Sequence, residues 1–149
     1  MKKKLKVLFN ASVVLAGLYS PSGASGTLLT WVKKGMISGV ISELIFEEAV
    51  RHAAKVGREQ WQVVEKELIN IFRGIANPPG EYMVKKYYGK VTDRGDAHVL
   101  ASYDEEKCET LVTLDKKHLL VIQGKIKGIR IMSPGQLVRR LRRMGRAEI

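Results

Sequence analysis

An α/β fold built on a parallel sheet is what this chain predicts, and three observations carry it. Short apolar runs alternate with helical stretches along the whole length. The first of those runs is mostly apolar and rich in β-branched residues, as a strand buried on both faces is. Acidic or amide side chains stand just past the ends of the runs, where open α/β sheets place their ligands.

The elements follow in order. Lys6 to Val14 reads as a buried parallel strand with an overhang. Ser20-Pro21-Ser22-Gly23 is a loop, and Ser22 or Ser25 is placed to cap a helix through Thr27 to Val32 that Gly35 ends. Met36 to Ile41 makes a second strand. Ser42 is a good N-cap, with Glu43 in the first turn of a helix reaching about Lys55. Arg58 to Phe72 sets Trp61, Val64, Leu68, Ile71 and Phe72 on one helical face. Asn77-Pro78-Pro79-Gly80 breaks the chain, and Tyr82 to Tyr88 fits either a strand or a short helix. Asp93 begins a helix to about Glu106, Thr110 to Leu114 is a strand, and Lys116 to Val121 is a helical turn or more. Gly128 to Met132 is the last strand. Ser133-Pro134 opens a basic helix at about 133–145, with Pro at its first position. Strands alternating with helices in this way argue for a parallel sheet covered on both faces.

At 149 residues the chain fits one domain, with no repeat or linker to divide it. The formal charge of +11 is unusual, and it is not spread evenly. Residues 7–122 carry 14 basic and 14 acidic side chains, residues 1–6 add +4, and residues 123–149 add +7. Clustered Lys and Arg attract polyphosphates by counterion release, so nucleic acid is the expected partner; a solubilising surface, or the basic surface of a heat-adapted protein, would disperse the charge. Cys108 is the single cysteine, which excludes an internal disulfide and a cysteine-built zinc site and suits a reducing cytoplasm. The start imitates a secretory signal, but Asn10 and Ser12 interrupt its apolar run, and removing it would delete the most strand-like segment. No other stretch approaches the roughly 20 apolar residues of a membrane span, so no membrane partner is expected.

Asp115 ends Leu111-Val112-Thr113-Leu114-Asp115, Asp93 and Asp96 flank Gly95, and Glu48 lies in Ile41-Ser42-Glu43-Leu44-Ile45-Phe46-Glu47-Glu48. Asn10, the neutral isostere of Asp, ends the first apolar run. Carboxylates converging from several strand ends suit a hard divalent cation, and their mutual repulsion is relieved when it binds. Singly, each acid has an ordinary use. Asp93 caps the helix after it, Asp115 caps the turn before Lys116, Asp96 meets its helix dipole, and Glu47 faces solvent. Together, at successive strand-to-helix junctions, they describe a site. The three histidines, His52, His98 and His118, have no zinc-site spacing; His98 should point away from Asp96, while His118, after Lys116 and Lys117, is placed to help hold a phosphate. No phosphate loop or nucleophile elbow is present. Trp31, Trp61 and Phe72 lie on apolar helix faces as core or dimer contacts.

The four segments around Asn10-Ala11-Ser12-Val13-Val14, Ser42 to Glu48, Asp93-Arg94-Gly95-Asp96-Ala97-His98 and Leu111 to Leu119 together resemble the PIN-domain nucleases, over roughly residues 5–135. That family includes the ribonuclease toxins of toxin–antitoxin pairs. The resemblance implies a three-layer α/β/α fold with a central five-stranded parallel sheet and a Mg²⁺- or Mn²⁺-dependent site that cuts RNA. It implies metal ligands at Asn10, Glu48, Asp96 and Asp115, with Asp93 as a further acid, Ser12 as a small hydroxyl near the metal and Thr113 as the polar residue before the last Asp. An antitoxin protein and a homodimer are implied partners. Asn10 is the departure: where the family has an Asp, one ligand charge is lost. The expectation is therefore a PIN-type endoribonuclease weakened or disarmed at Asn10; the alternative is a non-catalytic RNA- or protein-binding module on the same fold.

Overall fold

Val7, Leu8 and Phe9 are fully buried in strand β1 (Lys6–Phe9). The same holds for Thr110, Leu111 and Val112 in β3 (Thr110–Val112). Successive side chains of a strand point to opposite faces, so burial of every one means that both faces are covered. The structure, a computed structural model, describes residues 4–55 and 60–145. With β2 (Ser38–Val40) and β4 (Ile131–Met132), the strands form one sheet in the order β2-β1-β3-β4. Every pairing is parallel, with Leu8 opposite Val40 and Leu111, and Leu111 opposite Ile131. All four carboxyl ends therefore lie along one edge.

Seven helices surround it among the described residues: α1 (Ala11–Tyr19), α2 (Ala24–Lys33), α3 (Glu43–Lys55), α4 (Trp61–Phe72), α5 (Glu81–Lys86), α6 (Arg94–Glu105) and α7 (Pro134–Arg143). One apolar cluster unites strands and helices, with Trp31, Phe9, Leu68, Leu100, Leu111 and Leu137 among its deepest members. Phe9 meets Phe72 edge-on at 5.3 Å between ring centroids, which ties α4 to the sheet. Helix α7 starts from a capping box in which Ser133 and Gln136 each satisfy the other's backbone N–H, with Pro134 at its first position.

Four expectations need correction. The sheet has four strands and not five, because Tyr82 to Tyr88, the one ambiguous segment, forms α5 and the turn after it. The first strand stops at Phe9, because the Asn10 side chain accepts from the Ser12 N–H and caps α1; Val13 and Val14 are buried as helix residues. Neither Ser22 nor Ser25 caps α2, whose N-cap is Gly23 without any side-chain bond. Trp61 is 50 % exposed at the first turn of α4, while Val64, Leu68, Ile71 and Phe72 are buried as the pattern requires. Arg58, the expected start of that helix, lies outside the described residues.

Close packing makes one glycine indispensable. A Cβ at Gly26 in α2 would overlap the Pro21 backbone carbonyl, and backbone cannot rotate aside as a side chain can. Gly26→Ala should destabilise the fold by about 1–3 kcal/mol, read as a lower midpoint in urea unfolding. An unchanged midpoint would mean that the loop at Pro21 yields freely.

Candidate active site

Helix and strand ends bring the sequence-selected residues to one cleft. Asn10 follows β1, Asp115 lies three residues past β3, Glu48 is in α3, and Asp93 and Asp96 occupy the N-cap and first turn of α6. All five line a cleft of about 220 Å³ at the carboxyl edge of the sheet, together with Ser42, His98 and His118.

Each side chain is held by local hydrogen bonds. Asn10 Oδ1 accepts from the Ser12 hydroxyl at 3.0 Å, and Ser12 Oγ in turn accepts from the Leu114 N–H at 3.2 Å, joining the ends of β1 and β3. Asp115 Oδ1 accepts from the N–H groups of Lys117 and His118 at 3.1 and 3.0 Å, and its own N–H donates to Thr113 Oγ1 at 3.1 Å. Asp93 Oδ1 takes the Gly95 N–H at 2.6 Å, the helix-capping role expected of it. Ser42 Oγ accepts from the Ile45 N–H at 3.2 Å and starts the helix that carries Glu48.

Asp96 differs from the others. It is buried, and its Oδ2 has no hydrogen-bond partner. Desolvation is the largest influence on it, followed by the negative charges of Asp93 and Asp115; Glu48 adds a little and His118 opposes. Together they push its carboxyl up to about 6. A native protein leaves a buried acceptor bare only for a reason. Carboxylate oxygens of Asp96 and Asp115 and a ring nitrogen of His118 lie within 4.8 Å of one another, close enough to share one ion. An unpaired oxygen among like charges fits a hard divalent cation.

Two histidines correct the sequence reading. His98 lines the cleft instead of pointing away from it. His118, expected only as a phosphate contact, stands with Nδ1 at 3.3 Å from Asp115 Oδ2. The signal for it was an Asp and a His three residues apart in a turn, which becomes informative only once the turn is known. Glu48 is exposed and lies outside the tight trio, although it shares the cleft. Glu47 is exposed, as expected.

A single parallel sheet between helices with an acid cleft at its carboxyl edge defines the class. Residues 6–117 match the PIN domain, and the chain belongs to the PIN-domain family. PIN domains are generally nucleases, a kind of hydrolase, and typically work with a divalent metal. Among solved structures, PAE2754 from Pyrobaculum aerophilum is similar in fold, with a TM-score of 0.59 and 22% identity over 93% of this chain and 90% of that one. No curated protein matches the chain in sequence. Among the described residues no helix is long and apolar enough to cross a membrane.

The raised Asp96 carboxyl has a consequence for stability. A folded-state value of about 6 against 3.8 means that the native protein holds this proton more tightly than the unfolded chain does. The resulting stabilisation is full below pH 3.8 and is lost as pH rises through about 6. With metal chelated, Tm of the wild type should therefore fall relative to Asp96→Asn across that window and run parallel to it above. At neutral pH, Mn²⁺ should raise Tm of the wild type but not of Asp96→Asn. Parallel curves throughout, or equal stabilisation by Mn²⁺, would show that Asp96 is not the strained group.

Proposed function

We propose that this chain is a metal-dependent ribonuclease of PIN type, attenuated by Asn10. The observation that carries the reading is the buried, unpartnered Oδ2 of Asp96 facing Asp115 in a cleft that Glu48 and Asn10 complete. Asp96 and Asp115 would hold the cation directly, with Glu48 and Asn10 serving directly or through water. A bound Mg²⁺ or Mn²⁺ would supply an activated water and neutralise charge at the scissile phosphate. The chain's own residues do the rest. The Lys117 and His118 N–H groups fix the Asp115 carboxylate before any ligand arrives, so little reorganisation is needed. The His118 ring, exposed at the rim, is placed to meet a phosphate oxygen. Asp93 spends one oxygen on capping α6 and keeps the other for the cleft.

RNA is favoured as substrate by the excess of basic charge and by the likeness to the ribonuclease toxins. A toxin role with an antitoxin partner, self-association into a homodimer and a cytoplasmic location belong to the same reading. One observation favours a second reading, a binding module without turnover. Asn10 Oδ1 is already engaged by Ser12, so the first ligand position offers a neutral, shared oxygen.

Asn10→Asp separates the two. The change preserves shape and adds a full charge beside Asp96 and Asp115. Mn²⁺ binding should tighten roughly tenfold or more, about 1.4 kcal/mol, and EDTA-sensitive RNA cleavage should appear or rise. Adding Asp115→Asn should abolish the gain. If Asn10→Asp neither binds Mn²⁺ more tightly nor cuts RNA, the binding-module reading stands. Equal cleavage by the unaltered protein would show that position 10 is dispensable.

A further inference from the structure

The chain's basic surplus is not at the cleft. All strands run parallel, so residues just before a strand lie at the amino edge of the sheet, opposite the acids. Lys4 and Lys6 sit at the start of β1, and Arg130 directly precedes β4. Helix α7 leaves β4 at the carboxyl edge and runs back along the molecule. Its end arrives beside those same strand starts: Arg140 and Met144 share a groove of about 750 Å³ with Leu5, Glu109, Gly128 and Arg130. Arg142 stands 5.8 Å over the ring of Trp31, close to the carboxyl end of α2. Lys125 and Lys127 are exposed in the loop between Gly124 and Gly128, both of which line the groove. Lys2, Lys3 and Arg146 lie outside the described residues.

Described cations from both basic ends of the sequence, Lys4 and Lys6 from one and Arg130 and Arg140 from the other, thus lie toward the same edge of the sheet. Among the described residues none of these cations forms an ion pair with an acid. Glu109 is the only acidic residue of the groove among the described residues, and its Oε1 accepts from the Lys6 backbone N–H. From Glu109 to Asp115 the chain advances six residues, at most about 20 Å when extended. The cleft's lining, by contrast, holds four carboxylates, Glu48, Asp93, Asp96 and Asp115, and no Lys or Arg among the described residues.

We infer that the groove at the amino edge of the sheet, with Arg130 and Arg140 as its central cations, is a second binding site that anchors the phosphate backbone of single-stranded RNA, remote from the carboxylates. Charge complementarity selects the occupant: unpaired guanidinium groups, presented in an open groove, recognise phosphate oxygens through bidentate hydrogen bonds. The exposed Met144 and the half-apolar floor of the groove leave room for sugars and bases beside the backbone. An RNA held here reaches the cleft only if it is long enough to run along the molecule, so the site favours long chains over fragments. The inference takes its RNA partner from the ribonuclease reading and does not depend on cleavage.

Deleting α7 would not test this, because Leu137, Val138 and Leu141 are core residues and the fold would fail with them. Charge reversal is the cleaner probe. Fluorescence anisotropy of a labelled single-stranded RNA, with EDTA present, should show that Arg130→Glu/Arg140→Glu binds at least tenfold more weakly. Its log–log salt slope should flatten by roughly one unit or more, as for one or two lost phosphate contacts. Asp96→Asn/Asp115→Asn should bind RNA at least as well as the wild type, and a dinucleotide should bind all variants equally poorly. Arg130→Gln/Arg140→Gln should weaken binding in the same direction with an unchanged Tm, which separates charge from folding. If charge reversal leaves affinity and salt slope intact, the site is overturned, and the face is open to another occupant such as an acidic protein segment. The two readings fail separately. RNA cut by Asn10→Asp with a KM untouched by Arg130→Glu/Arg140→Glu removes the second site alone. RNA bound through Arg130 and Arg140 but never cut removes the nuclease alone.

Discussion

Parallel pairing of β1 with β3 is the constraint on which the rest of the molecule depends. Phe9 stands opposite Val112, the Asn10 N–H donates to the Val112 carbonyl at 3.0 Å, and both strands end at the same height. The chain then turns into helix at one strand and into a tight turn at the other. Ser12 bridges the two departures by donating to Asn10 and accepting from Leu114. A parallel sheet cannot be closed by hairpins, so each strand must be reached by a crossover. That is why residues as distant as 10, 48, 96 and 115 can share one cleft, and why the amino edge must collect a different set of side chains.

In the cleft the fold works against itself. Four carboxylates line it, and of these Asp96 is the buried one, with an oxygen left bare. The surroundings limit the damage. Asp93 and Asp115 are satisfied by backbone N–H groups, and the α6 amino terminus adds a favourable dipole. Like-charge repulsion that survives this arrangement is what a cation would relieve, so strain and function have the same origin. Elsewhere the apolar cluster is continuous through strands and helices.

Most of this could be read from the residues, for identifiable reasons. Alternating apolar runs and capping signals marked four strands and five of the seven helices, α1 and α5 being the exceptions; Ser42, Asp93 and Ser133-Pro134 act locally through their own side chains. The overhang of the first strand was misjudged because Val13 and Val14 have β-branched side chains, whereas the deciding interaction is the Asn10 cap two or more residues earlier. Tyr82 to Tyr88 carries no periodicity strong enough to choose between strand and helix. It is settled by tertiary contacts, since Tyr87 donates to Asp104 on α6 at 2.6 Å. At the cleft, Asn10 and Asp115 were legible from their place after strands, whereas Glu48, Asp93 and Asp96 lie on or at the start of helices and were given their roles in the site through the resemblance. His98 and His118 were not legible, since their approach depends on how a turn and a helix face are rotated, which spacing alone does not encode. The approach of Arg140 to Arg130 at the amino edge was equally hidden, because it follows from the direction in which α7 returns.

The side chain at position 10 caps α1 through Oδ1 and lines the acid cleft. Asn and Asp are about equally good N-caps, so the helix is indifferent to the charge. The ligand set is not, because a cation among carboxylates responds to each unit of charge at close range. A substitution that is neutral for folding would thus be free to set the strength of the proposed metal site. The same logic does not extend to Asp96, whose burial ties its charge to stability, or to Ser12, whose hydroxyl joins two strand ends. Of the residues in the cleft, position 10 is therefore the one at which the charge can be changed with the least disturbance to the structure that supports it.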